Sequence, residues 1–163
     1  MNIKTYAGIG SRKTPPDVLE KMTLIAKDLG QKGFQLRSGG AAGADNAFER
    51  GAILGNTKPT IYVPGYPGPN WWADLAKRYH PVWDRLGDYA KQCHTRNVGI
   101  LLGQNILEVQ SVNFIICWTK NGGVEGGTGQ ALRIAQGFGI PIFNLYYPDA
   151  EYNLHKKVYE EMK

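Results

Sequence analysis

Cysteine is scarce in this chain of 163 residues, with only Cys93 and Cys117 present. Two thiols cannot build a disulfide framework, and they lack the paired spacing that a cysteine metal site requires. Cys117 falls in the apolar run Phe114-Ile115-Ile116-Cys117-Trp118 and is expected to be a packed core thiol. Long hydrophobic runs are missing too: no stretch approaches the ~20 apolar residues needed to span a bilayer, so no membrane partner is expected. Met1-Asn2-Ile3-Lys4 leads straight into a strand-like run, so no leader peptide is expected and a reducing cytoplasm is the expected location. Two common phosphate-binding signatures are absent. No glycine loop ends in Gly-Lys-Ser/Thr, which excludes a P-loop nucleotidase. Gly8-Ile9-Gly10 does not complete a dinucleotide fingerprint, because Lys13 stands where the third glycine belongs. His80, His94 and His155 show no catalytic or metal spacing and read as structural, so neither a metal nor another cofactor is expected.

What is present suits a single globular domain. Hydrophobic residues make up 42% and charged residues 20%, enough apolar content for a core and too little charge for disorder. The net charge of +5 favours anionic ligands without by itself specifying nucleic acid. No internal repeat, linker or second domain is visible.

Strand-like and helix-like segments alternate along the chain. Strands are expected at Thr5 to Ile9, Phe34 to Arg37, Thr60 to Val63, Ser111 to Thr119 and Ile140 to Leu145. The first helix is expected to begin with Thr14 as cap, Pro15 in the first helical position and Asp17 closing a capping box. Val18, Met22, Ile25, Ala26 and Leu29 recur at helical spacing behind it. Further helices are expected at about Gly43 to Leu54, Thr128 to Phe138 and Leu154 to Met162, with two or three between Tyr66 and Gly103. Such alternation predicts an α/β domain of Rossmann-like type, a parallel sheet of about five strands flanked by helices.

In a parallel sheet, ligands bind beyond the carboxyl ends of the strands. Three glycine-rich loops fall at such ends: Gly8 to Arg12, Ser38 to Gly43, and Gly122 to Gly129. A helix follows each, and a helix N-terminus offers unpaired N–H groups while glycine lets backbone approach a phosphate. Their convergence predicts a site for a nucleotide or a nucleotide-derived small molecule. The candidate binding residues are Gly10, Ser11, Arg12, Ser38, Gly39, Gly40, Gly43, Asp45, Arg96, Gly126, Gly127 and Thr128.

Individual roles differ. Arg12 is placed as a phosphate clamp just past the first loop. Asp45 either binds a ribose hydroxyl or complements the dipole of its helix. Arg96, in Thr95-Arg96-Asn97, either reaches an anion or solvates a helix start. Trp71 and Trp72 either stack on a base or pack over the sheet edge. Glu125 either contributes a carboxylate to the site or is solvated.

Tyr6-Ala7-Gly8-Ile9-Gly10-Ser11-Arg12 followed by Leu36-Arg37-Ser38-Gly39-Gly40-Ala41-Ala42-Gly43-Ala44-Asp45 resembles the DNA-processing protein A (DprA/Smf) family. That family shares a Rossmann-like domain with the Lonely Guy (LOG) enzymes, and Asn121 to Gly129 resembles the third glycine loop of this wider group. The resemblance implies a nucleotide-binding domain of sensor or sequestering type, with single-stranded DNA as an alternative ligand. A homo-oligomer is also expected. Lonely Guy enzymes cleave nucleoside monophosphates with a glutamate placed shortly after their third loop. Here Thr128 is followed by Gly129-Gln130-Ala131-Leu132, and no acid stands at that place. A nucleotide N-glycoside hydrolase would therefore need another carboxylate, such as Asp45 or Glu125.

Overall fold

The computed structural model describes residues 3–163, so the expectation of no leader at Met1 and Asn2 lies outside the described residues. Among the described residues five strands, β1 (Thr5–Gly8), β2 (Gln35–Ser38), β3 (Thr60–Ile61), β4 (Phe114–Cys117) and β5 (Ile142–Asn144), form one sheet. All pairings are parallel and the spatial order is β3-β2-β1-β4-β5. Six α-helices among the described residues connect and flank them: α1 (Pro16–Gln31), α2 (Ala44–Leu54), α3 (Asn70–Arg78), α4 (Asp88–Leu102), α5 (Gly126–Gly137) and α6 (Ala150–Glu161). The expected α/β class is the one observed.

Alternation along the strands divides the core in two. Tyr6, Leu36, Phe114 and Ile116 point to one face and pack against α1, α2 and α6. Ala7, Ile115 and Cys117 point to the other and pack against α3, α4 and α5. β4 is buried along its whole length, as a central parallel strand should be, and Cys117 is the core thiol expected of it. Its burial pushes the thiol up to about 12, so it stays protonated and unreactive. On the first face α1 lies close against α2, where Thr23 donates to the Ala47 carbonyl at 3.0 Å. A Cβ at Gly51 would collide with the Thr23 carbonyl, so that approach requires glycine.

Several boundaries differ from the sequence pattern. Thr14 is not the cap of the first helix; Pro15 occupies that position with extended backbone, and Pro16 begins the helix. The cause is steric, because a residue preceding proline is driven out of the α region. Thr14 is buried instead, its hydroxyl donating to the Ser11 carbonyl. α5 begins at Gly126, two residues earlier than expected, which turns part of the third glycine loop into a first helical turn. The segment from Tyr66 to Gly103 resolves into α3 and α4, with one short 3₁₀ turn between them. Arg96 consequently lies within α4 rather than at a helix start. Trp72 is fully buried, its indole N–H donating to the Gly103 carbonyl at 2.9 Å. Trp71 donates to the Gln104 carbonyl at 3.2 Å. Packing thus accounts for both indoles. Among the described residues no helix is long and apolar enough to cross a membrane.

Candidate functional site

The sheet order reverses direction between β1 and β4, since the chain leaves β1 toward β2 on one side and reaches β4 on the other. Loops diverge at such a switch point and leave a crevice beyond the carboxyl ends of the strands. A cavity of about 620 Å³ occupies that position, within the range of small-molecule sites. Its walls come from the segment after β1, the segment after β4, the loop opening α2, and one face of α4.

The structure gathers eight of the sequence-predicted residues around this cavity: Gly10, Ser11, Arg12, Asp45, Arg96, Gly126, Gly127 and Thr128. Ser38, Gly39, Gly40 and Gly43 stand behind the wall and shape it. The Ser38 hydroxyl is fully buried and donates to the Gly8 carbonyl at 2.6 Å, tying β2 to β1 beneath the site. Gly43 has φ +86° and ψ −121°, a backbone region open only to glycine. A Cβ there would also lie 3.1 Å from the Arg12 Cα, so the first two loops touch through this glycine.

Asp45 organises the same junction. Its side chain is buried at the start of α2 and accepts the Ala41 N–H at 3.2 Å, with the N–H groups of Gly39 and Gly10 also directed at it. Burial pushes its carboxyl up to about 6, partly opposed by the nearby Arg96 guanidinium and these N–H groups. Asp45 therefore borders the cavity and knits the first two loops together.

Arg96 is held rather than free. Its Nη1 donates to the Gly39 carbonyl at 2.7 Å and to the Tyr62 carbonyl at 3.2 Å, and its Nε donates to Asn97 Oδ1 at 3.1 Å. Asn97 passes the connection on, donating to the Gly127 carbonyl at 3.2 Å and to Gln130 Oε1 at 3.1 Å. This chain of bonds joins the end of β2 to the start of α5 across the floor of the site. Gln130 is fully buried and donates in turn to the Ala76 carbonyl at 3.4 Å. The residue after the third loop is thus a core bracket.

The first turn of α5 faces the cavity with Gly126, Gly127 and Thr128. Glu125, in the cap position, makes no side-chain bond to this turn, so the N–H groups of Gly126, Gly127 and Thr128 have no side-chain cap. Gly126 has φ +70°, which explains one glycine. Gly127 has no positive φ, and a Cβ added to it would meet no atom within 4 Å, so nothing inside the fold demands glycine there.

Sequence reasoning missed other wall residues: Lys13, Ala41, Cys93, Asn97, Ile100, Thr119, Lys120 and Asn121. A signal existed for some of them. Cys93, Arg96, Asn97 and Ile100 follow helical spacing and share one face of α4. Arg12, Lys13, Arg96 and Lys120 outnumber Asp45 and Glu125 on the walls, so the cavity favours anions. Among the described residues no three His, Cys, Asp or Glu side chains gather as metal ligands. His80 and His94 pair at 4.6 Å between ring centres, and burial lowers the pKa of each.

Comparison of the chain with protein-family models, with curated proteins and with solved structures finds no match.

Proposed function

We propose that this chain binds a nucleotide or a nucleotide-derived phosphorylated ligand in the switch-point cavity, acting as a sensor or sequestering domain. One observation carries the reading: the first turn of α5 borders the cavity with its N–H donors uncapped, and it includes a glycine at position 127 that the fold itself does not require. A phosphate approaching that turn would take up the N–H donors and use the space a Cβ would fill. Arg12 is exposed, bears no ion pair among the described residues, and lines the same cavity, where it would serve as the phosphate clamp.

The experiment is native mass spectrometry of the chain purified from cells, followed by denaturation and identification of any released small molecule. The expected result is a mass excess that resolves into a phosphorylated nucleoside derivative. A chain that carries nothing, and that takes up no member of a mononucleotide and dinucleotide panel at millimolar concentration, overturns the reading.

A further inference from the structure

A second cavity of about 620 Å³ lies at the opposite edge of the sheet, beside the amino ends of β1, β2 and β3 and the segment leading into β4. Arg37 of β2 lines it and is only 9% exposed. Its neighbour Leu36 packs on the α1 and α2 side, so strand alternation turns Arg37 to the side that α4 covers. There Arg37 Nη1 comes within 3.7 Å of the Cβ position of Gly103, at the end of α4.

A buried guanidinium normally meets a carboxylate, because an unpaired charge is costly away from water. Arg37 forms no salt bridge among the described residues. The carboxyl end of α4 offsets part of the charge, and the Gln110 carbonyl accepts one N–H from Nη1 at 2.7 Å. The dipole makes the charge tolerable, but it leaves the other donors unused. Nε and Nη2 donate to nothing among the described residues, yet neither is sealed: the closed-off side-chain atoms without a partner there are Tyr6 Oη and His94 Nδ1. The free N–H groups are therefore open to the cavity. Nε and Nη2 form one edge of the guanidinium, the edge that grips two carboxylate oxygens in parallel.

The other wall residues narrow the ligand. Glu108 is the one further charged side chain among the described residues of this wall, and it pairs neither with Arg37 nor with any other cation there. The wall is thus neutral in sum, which suits a single negative charge better than a phosphate carrying nearly two. Gln35, Thr60 and Ser111 add an amide and two hydroxyls able to meet hydroxyl or ammonium groups. We propose that this second cavity binds a small monocarboxylate bearing hydroxyl or amino groups, its carboxylate forked on Arg37 and its polar substituents set against Glu108 and the neutral side chains. The site is separate from the switch-point cavity and does not depend on what that cavity holds.

Amide-resolved NMR titration of the whole chain tests the proposal. The probes are L-lactate, L-alanine, L-serine and L-glutamine, with lactamide, alaninamide and inorganic phosphate beside them. At least one acid is expected to give saturable shifts clustered at residues 35–38 and 108–113. The uncharged amides should bind at least about tenfold more weakly, the scale of a hydrogen bond to a charged group. Arg37→Gln should abolish the shifts in a chain that keeps its circular dichroism. Ser111→Phe fills the cavity from its exposed rim and leaves Arg37 in place, so it should abolish them too and decides the matter if Arg37→Gln does not fold. No saturable shift in those segments with any acid overturns the proposal. So do amides that bind as well as acids, shifts that survive Ser111→Phe, and a preference for phosphate.

Discussion

Arg96 Nη1 donates to the Gly39 carbonyl at 2.7 Å, and the absence of a side chain on Gly39 is what lets the guanidinium settle there. A Cβ at Gly39 would lie 2.7 Å from Arg96 Cζ and 2.8 Å from Asp45 Oδ2. Both groups are tethered, so neither yields freely. Gly39→Ala is expected to cost about 1–3 kcal/mol, the scale of overpacking a tight interior. Chemical denaturation of the two proteins measures it, and a loss below ~0.5 kcal/mol would mean that the junction repacks.

Two substitutions separate ligand contact from folding. Gly127→Ala is expected to leave stability within ~0.5 kcal/mol, because nothing in the chain meets the new methyl group. It should nonetheless weaken a phosphorylated ligand at least about tenfold. Arg12→Ala should cost roughly 1.5–3 kcal/mol of binding, as expected for a charge-assisted hydrogen bond. Unfolding curves and calorimetry on the same preparations check both; unchanged affinity in either folded variant removes that residue from the site.

Asp45 makes stability depend on pH. Its carboxyl rises from 3.8 to about 6 on folding, so the folded state holds the proton more tightly than the unfolded one. The contribution is complete below pH ~4 and is lost as pH rises through about 6. Relative to Asp45→Asn, the natural chain should lose on the order of 2–3 kcal/mol of stability across that window. Unfolding free energies of both proteins from pH 4 to 8 provide the comparison. Parallel curves would show that Asp45 does not titrate there.

Salt should have little leverage. The cations of the site line a compact cavity, and a net charge of +5 offers no long basic track. Binding of a small phosphorylated ligand should therefore show a shallow salt slope, releasing one or two counterions. Affinity for single-stranded oligonucleotides falling steeply between 50 and 200 mM salt (roughly the 10³-fold or greater loss of a multi-phosphate contact), with none for mononucleotides, would favour a nucleic-acid surface instead.

Hydrolysis of nucleoside monophosphates at an enzymatic rate is not expected. Cleaving an N-glycosidic bond calls for a carboxylate that steadies positive charge on the sugar or activates water. Gln130, after the third loop, carries no charge and is locked in the core by Asn97 and the Ala76 carbonyl. Asp45 is occupied with backbone N–H groups. Chromatography of reactions with a nucleotide panel tests this. Release of base near ~10 per second, abolished by Asp45→Asn with binding retained, would make the chain an enzyme.

Strand and helix alternation was legible because it depends on local periodicity, and the glycine loops at Gly8, Ser38 and Gly122 were legible because they interrupt it. Helix starts were less so. Thr14, Pro15 and Asp17 have the composition of a capping box, but the clash between consecutive prolines moves the helix onset to Pro16. Arg96 shows the same limit, because its sequence neighbours do not reveal that α4 begins eight residues earlier.

The order of residues along the chain by itself determined an α/β sheet with glycine-rich strand ends, since periodicity, turn chemistry and glycine-rich loops are properties of short segments. Only the tertiary structure decided which of those residues share a cavity and which merely hold it in shape. Ser38 and Gly43 carry motif residues yet serve as supports, whereas Asn97 and Lys120 belong to no motif yet form the walls. The reason is that the site lies where β1 and β4 meet as neighbours, 106 residues apart between Gly8 and Phe114, and strand order is fixed by burial of both sheet faces rather than by any local sequence.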